Sequence, residues 1–302
     1  MSNEVSVAKK KIPFSAYMTA DVITKKVNSI IGDKKEGAKF ISNIVASVQA
    51  NPMLQECSNQ SILSCALVAH SLNLSANPTL GQIYMIPYNN KQTGVKEAQI
   101  QLSYKSYIQL CIRSGYYKKI NAIAIKEGEL IKYDPLTEEI EVKLIEDEEE
   151  RENAPIAGFY AMFEYQNGFK KAIYWSNKKM LNHADKYSQS FNKKTYDDIQ
   201  TGKIPQKDMW KYSSPWYGQY ELMGIKTVLK QLLSKYGILS IEMQEAIEKD
   251  QSVIKEDGTA IYVDNDNEDY IIDMKEEKKE TEKEKNVSRE TSEEIKGLDD
   301  ID

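Results

Sequence analysis

Residues 57–90 contain no Asp, Glu, Lys or Arg. A charge-free run of that length belongs either in a bilayer or in a buried core. Asn73, Asn77-Pro78, Gly81 and Pro87 interrupt it, and nowhere does the chain reach the roughly 18 continuous apolar residues of a spanning helix. The opening residues, Met1 to Lys11, lack the apolar stretch of a signal peptide. The expectation is a soluble, unexported chain with this run in its core. At 302 residues, 41% hydrophobic and 28% charged, it has material for one large domain or two small ones. Cys57, Cys65 and Cys111 are scattered, odd in number and without a C-x-x-C pair, which disfavours a disulfide framework or zinc ribbon and fits a reducing cytoplasm.

Periodicity divides the remainder. Phe40, Ile41, Ile44, Val45 and Val48 recur at helical spacing up to Asn51-Pro52, and Ile62, Leu63, Ala66, Leu67 and Ala69 mark a second helix from about Asn59 to Leu72. Gln82 to Tyr88 and Ala98 to Ser103 read as paired strands, followed by a short amphipathic helix, Tyr104 to Ser114, closed by Gly115. Further strands are expected at 119–126, 129–133, 140–145, 156–165 and 169–175, the last two joined by the hairpin signal Asn167-Gly168. Ser176 caps a helix to about Tyr187. A lysine-rich and aromatic loop, 188–218, leads to a long helix, 219–236, whose stripe of Leu222, Ile225, Leu229, Leu232, Leu233 and Tyr236 is expected to be buried. Strands and helices arrive in blocks, which indicates an α+β fold, a small antiparallel sheet with hairpins backed by helices. Three regions follow: a flexible basic arm (1–35), a core (36–250) and an acidic, disordered tail (251–302).

The net charge of −6 hides a segregation. Residues 251–302 hold 18 acidic and 8 basic side chains, and residues 138–152 hold nine acids against Lys143 and Arg151. The rest of the chain is basic. Residues 168–235 alone carry 13 lysines, five acids and all three tryptophans, Trp175, Trp210 and Trp216. Lysines neutralise phosphates and aromatic faces stack on bases, the pairing that single-strand binding requires. The alternative is an aromatic core with a solvated lysine rim. On the 104–114 helix Lys105, Gln109 and Arg113 share a polar stripe opposite Tyr107, Ile108, Cys111 and Ile112. On the long helix Lys226 and Lys230 are expected on a face opposite the leucines, so two basic stripes can line a groove.

Other chemistries find little support. No two glycines lie closer than five positions, and Ala38 stands where a Walker lysine would follow Gly32 and Gly37. No cofactor is expected. His70 and His183 lie outside any H-E-x-x-H context, and a metal site from Cys57, Cys65, His70 and Cys111 lacks ligand spacing. Asp134, Glu141 and Lys143 resemble a degenerate Mg²⁺ nuclease signature. A solvated acidic hairpin is the simpler account, because the neighbouring acids would repel phosphates.

Three segments carry a family resemblance: Asn77-Pro78-Thr79-Leu80-Gly81-Gln82-Ile83-Tyr84-Met85-Ile86-Pro87-Tyr88, Tyr104-Lys105-Ser106-Tyr107-Ile108-Gln109-Leu110-Cys111-Ile112-Arg113-Ser114-Gly115, and Lys226-Thr227-Val228-Leu229-Lys230-Gln231-Leu232-Leu233. In this order, over roughly residues 36–245, the chain resembles the RecT family of phage single-strand annealing proteins. Ser106 stands where that family commonly has glycine, Glu221 where it has aspartate and Lys230 where arginine is frequent. The lysine keeps charge but loses a bidentate fork. The resemblance implies ATP-independent coating of single-stranded DNA as a homo-oligomeric ring or filament and annealing of complementary strands, binding work rather than catalysis. It implies a fold related to the Red-beta and Rad-type annealing folds, and work beside a phage exonuclease and a host single-strand binding protein. By the same carry-over Lys105, Arg113, Lys226 and Lys230 become phosphate-binding candidates, with Tyr104, Tyr107 and Gln82 as secondary ones. Such a groove must hold backbones while leaving pairing edges free. A plain single-strand coat protein and the Mg²⁺ nuclease remain the competing functions. The tail either solubilises the chain, docks a partner or competes with DNA for the basic groove.

Overall fold

The computed structural model describes residues 11–77, 79–90, 94–188, 190–212 and 214–262. The chain opens with three helices, α1 (Phe14–Thr19), α2 (Asp21–Ile31) and α3 (Lys34–Ala50). Asp33 caps α3 by accepting from the amides of Lys35 and Glu36. The charge-free run then forms α4 (Asn59–Ser71), capped by Ser58, and continues into β1 (Ile83–Asn89). α4 is buried almost all round, at Ile62, Leu63, Cys65, Ala66 and Ala69 among others, which is why it needs no charge.

β2 (Lys96–Leu102) pairs antiparallel with β1, and α5 (Tyr104–Ser114) follows. Ser103 caps α5 and Gly115 ends it in the left-handed conformation, φ 73°. Next come β3 (Tyr117–Lys126), the hairpin of β4 (Leu130–Asp134) and β5 (Glu139–Val142), the short α6 (Glu148–Asn153), β6 (Ile156–Tyr165) and β7 (Lys170–Ser176). β3, β6 and β7 form one antiparallel sheet; β4 and β5 form a separate two-stranded one. The β6–β7 turn follows from Asn167-Gly168, where Gly168 takes φ 85° and the Asn167 side chain accepts from the amide of Phe169.

α7 (Asn177–Tyr187), capped by Ser176, and the long α10 (Tyr220–Tyr236) both pack on this three-stranded sheet. Between them lie α8 (Lys193–Gln200) and α9 (Pro215–Gly218), so the expected 188–218 loop contains helical turns. α10 meets β6 closely at Gly224, where a Cβ would stand 2.3 Å from the Phe159 ring. The chain closes with α11 (Ile241–Lys249), β8 (Ser252–Ile254) and β9 (Ala260–Ile261).

The architecture is α+β with small antiparallel sheets, as expected, but both domain boundaries shift. Residues 1–35 are not wholly an arm: Phe14, Met18 and Val27 are buried, and Tyr17 donates to the Gln60 side chain at 2.8 Å. Val22, Ile23, Val27, Ile30 and Ile31 recur at helical spacing along α2, and the buried positions of α1 and α2 join the main core. At the other end, β8 pairs with β2, giving a four-stranded sheet of order β1-β2-β8-β9. Residues 251–262 therefore belong to the fold, through Ser252, Val253 and Ile254, all buried. The rest of the expected tail, 263–302, lies outside the described residues, as do residues 1–10 of the expected arm.

Candidate nucleic-acid interface

Asp250, the residue that ends α11, is wholly buried and has four donors around its carboxylate. Lys226 Nζ donates to Oδ1 at 3.0 Å and Lys230 Nζ to Oδ2 at 3.1 Å. Tyr107 Oη donates to Oδ2 at 2.9 Å, and the Leu102 amide to Oδ1 at 2.8 Å. Burial alone would raise the Asp250 pKa, but the two ammonium groups, with the Leu102 amide, hold it down to about 2. Burial lowers the Lys226 pKa, Asp250 opposes that shift and Lys230 adds repulsion. The node ties α5, β2, α10 and α11 to a single carboxylate.

This corrects the expected exposure of the long helix. Lys226 is not on an open polar stripe: its side chain is 5% exposed and that of Lys230 is 15%. Leu222 and Tyr236, expected inside, are instead exposed, while Met223, Gly224 and Val228 are buried. α10 is covered on more sides than a simple amphipathic helix, because α5 and the three-stranded sheet both pack against it. On α5, likewise, Ile112 is exposed and Leu110 takes the inward position.

The remaining expected site residues separate. Arg113 donates to the carbonyls of Leu72 at 2.6 Å and Asn73 at 2.8 Å, closing the C-terminus of α4. Lys105 is exposed in the first turn of α5, about 12 Å along the axis from Arg113. Gln82 accepts from the Ser75 amide through its side chain and from the Ser106 hydroxyl, at 2.5 Å, through its carbonyl. Ser106 is fully buried, so its hydroxyl has a partner that glycine could not supply. Tyr104 packs partly buried against the core and Tyr107 is fully buried. Thus Tyr107, Lys226 and Lys230 converge, whereas Arg113 turns away to α4. The four expected cations do not line one groove.

A different basic concentration surrounds the outer side of the Asp250 node. A cleft of about 80 Å³ lies between α7 and α10, walled by His183, Tyr187 and Ser188 on one side and by Thr227, Lys230 and Gln231 on the other, with Lys226 and Asp250 at its base. On α7, Lys179, His183 and Lys186 recur at i, i+4 and i+7 and share a face. The Lys179 ammonium stands 4.2 Å from the Trp175 ring centre, and that of Lys186 stands 5.0 Å from Tyr187. His183 packs against both rings, at 5.2 and 4.6 Å. Burial, then the charges of Lys179, Lys186 and Lys230, push its pKa down to about 4. A further cation, Lys235, adds to the burial that lowers Lys179. Cations from two helices thus act on one point, with aromatic faces beside them, an arrangement suited to a phosphate backbone.

Residue-level reading of the sequence missed Asp250, Lys179, His183 and Lys186 as one site. The α7 stripe was available in the spacing after Ser176; Asp250 carries no local signal. Of the other aromatics, Trp216 is core and Trp210 is 75% exposed.

The competing chemistries find no assembled site. The Asp134 carboxylate accepts from the Leu136 amide in its own turn, and Glu141 stands across the hairpin from Lys132. The base of that hairpin is held by buried Glu129, which accepts from Arg151 Nε at 2.6 Å and from the amides of Lys126 and Ile145. Among the described residues no three His, Cys, Asp or Glu side chains are placed to hold a metal ion. The cysteines are buried, which pushes the Cys57 thiol up to about 11 and the Cys111 thiol up to about 12. Among the described residues no helix is long and apolar enough to cross a membrane.

Small antiparallel sheets backed by helices make this an α+β protein, with Lys226 and Lys230 in a cleft between two of those helices. The chain belongs to the RecT family, whose profile matches residues 38–264. That membership gives it a general role in recombination and DNA annealing. It is 36% identical over 294 residues to the uncharacterized protein YqaK of Bacillus subtilis, covering 94% of this chain and 89% of that one. It is 24% identical over 251 residues to Protein RecT of Escherichia coli, covering 82% and 84% respectively.

Proposed function

We propose that this protein binds single-stranded DNA without ATP, assembles along it as a homo-oligomer and anneals a complementary strand. The observation that carries the reading is the pair Lys179 and Lys186, exposed on α7 on the face that also presents His183 to the cleft lined by Lys230. Two strands repel each other, and cations fixed on rigid helices lower that barrier without spending binding energy on ordering loops. Lysines contact phosphates and carry no base preference, so the pairing edges stay free to test complementarity. Oligomerisation multiplies a modest contact per protomer into strong, cooperative binding.

Within this reading the residues divide by role. Lys105, exposed on α5, contacts phosphates together with Lys179 and Lys186, exposed on α7, while Lys230 at the cleft pairs with Asp250. Lys226 and Tyr107 act from beneath, by holding Asp250 and so fixing α10 against α5. Arg113, Gln82 and Tyr104 hold α5 against α4 and the β1–β2 hairpin. The protein works in the bacterial cytoplasm on single strands and annealed duplex, alongside an exonuclease and a host single-strand binding protein.

A pairing assay with complementary oligonucleotides, without ATP and with or without Mg²⁺, tests the proposal. Accelerated pairing that is weakened by Lys179→Ala/Lys186→Ala is the expected result. Binding without acceleration would leave a coat protein, and Mg²⁺-dependent cleavage abolished by Asp134→Ala would leave a nuclease.

A further inference from the structure

We propose that Trp210 is the surface on which an unpaired DNA base stacks, so that this chain holds a single strand by a base face as well as by its phosphates. The inference rests on the reading of the protein as a single-strand binder and adds to it a residue that favours unpaired over paired bases.

Exposure is the first argument. Of the three tryptophans, Trp216 is buried and Trp175 packs partly buried against the core, whereas Trp210 is 75% exposed. Its indole, a large flat apolar face, forgoes the burial that the other two obtain. It stands on the 3₁₀ turn Gln206–Lys211, where side chains three apart eclipse one another. Lys207 and Trp210 therefore share one face of the turn, and both are exposed. Asp208 and Lys211 share the next face and pair at 2.8 Å, which holds the Lys211 ammonium 5.7 Å from the Trp210 ring centre.

The turn is also anchored. Tyr212, directly after it, packs against Tyr217 at 5.6 Å between ring centres, and Tyr217 packs against buried Phe191 at 5.2 Å. Upstream, the Lys193 amide donates to the Asp185 carboxylate at 2.7 Å and its ammonium to the Asn182 side chain at 2.9 Å. These bonds fasten the start of α8 to α7, the helix that carries Lys179 and Lys186. A ring placed in this way loses little freedom when a ligand arrives.

The surrounding charge selects the ligand. Residues 193–211 hold five lysines against three aspartates, and two of those aspartates, Asp198 and Asp208, already pair with Lys203 and Lys211. Exposed Lys194 and Lys207 keep the surface cationic. A flat apolar face among cations fits a nucleobase with its phosphate. In a duplex the base faces are covered by the neighbouring pairs, so only an unpaired base offers one to Trp210. A stacked base keeps its pairing edge open, and the contact is compatible with testing complementarity.

The test compares the full-length chain with Trp210→Ala and Trp210→Phe. The ligands are oligothymidylate and an abasic oligonucleotide of the same length, which has the phosphates without the bases. Affinity is read by fluorescence anisotropy over a range of salt, and tryptophan emission is read on the same samples. Trp210→Ala should weaken oligothymidylate binding about fivefold or more, the lower end of what one base–aromatic stack contributes. It should leave abasic affinity, the salt slope and the urea midpoint unchanged, and abolish most of the emission quenching that oligothymidylate causes. Trp210→Phe, which keeps a ring, should retain most of the affinity. Equal losses on both ligands, or no loss on either, would overturn the assignment and leave the exposed indole to a protein partner. Failure of the wild-type chain to bind either oligonucleotide would overturn the single-strand reading itself, and this inference with it.

Discussion

Replacing Asp250 by Asn should cost this protein a large part of its stability, for reasons that can be worked from the geometry. The carboxylate is wholly buried and accepts from two ammonium groups, a phenol and an amide. An amide side chain keeps the shape but leaves Lys226, itself 5% exposed, without a counter-charge. Removing one partner of a buried ion pair costs about 3–5 kcal/mol. The pH dependence gives an independent check, because the two ammonium partners hold the carboxyl below its ordinary 3.8, at about 2, against the opposing effect of burial. The sign follows from the depression. That contribution is complete above about pH 4, where the unfolded carboxyl is ionised, and is lost as pH falls towards about 2. Urea denaturation followed by tryptophan fluorescence should show the midpoint of Asp250→Asn falling with an unchanged slope, by an amount equal to about 3–5 kcal/mol. The triple variant Asp250→Leu/Lys226→Met/Lys230→Met removes all three charges of the node and should recover part of the loss. A loss below about 1 kcal/mol in the single variant would refute the claim that the node depends on this charge.

Other outcomes can be checked separately. Lys179→Ala/Lys186→Ala should leave the fold intact and reduce the slope of log affinity against log salt on single strands by about 1.4, two contacts at about 0.7 each; an unchanged slope would remove α7 from the interface. His183 should titrate near pH 4 by NMR in the free protein, through its burial and then the surrounding lysines, and at higher pH once DNA phosphates offset those lysines; a midpoint near 6.5 without DNA would contradict both causes. Gly224→Ala should destabilise by about 1–3 kcal/mol in thermal or urea melts, because its Cβ would meet the Phe159 ring. Arg113→Ala should cost about 1 kcal/mol by releasing the carbonyls of Leu72 and Asn73, with a smaller effect on the salt slope than the α7 pair.

What the sequence determined unaided was local. Ser103 and Gly115 bracket α5, Ser176 starts α7, Asn167-Gly168 makes the β6–β7 turn, and the charge-free run supplies α4 and β1. Each is a signal of a few residues whose physics is complete within the segment: a cap, a positive φ, a periodic apolar face. The ordered segments from Asn77 to Leu233 also carried the RecT resemblance, which the family match bears out. Only the tertiary structure decided which lysines are available. Lys226 and Lys230 have the spacing of an open stripe, yet their counter-charge comes from Asp250, 24 and 20 residues on, after the chain has turned through α11. Helical periodicity assumes one covered face, and α10 is covered by both α5 and a sheet. The same is true of Val253, buried on β8, whose pairing partner β2 lies far back in the chain. Burial and ion pairing depend on what arrives from elsewhere, and a local pattern carries no record of it.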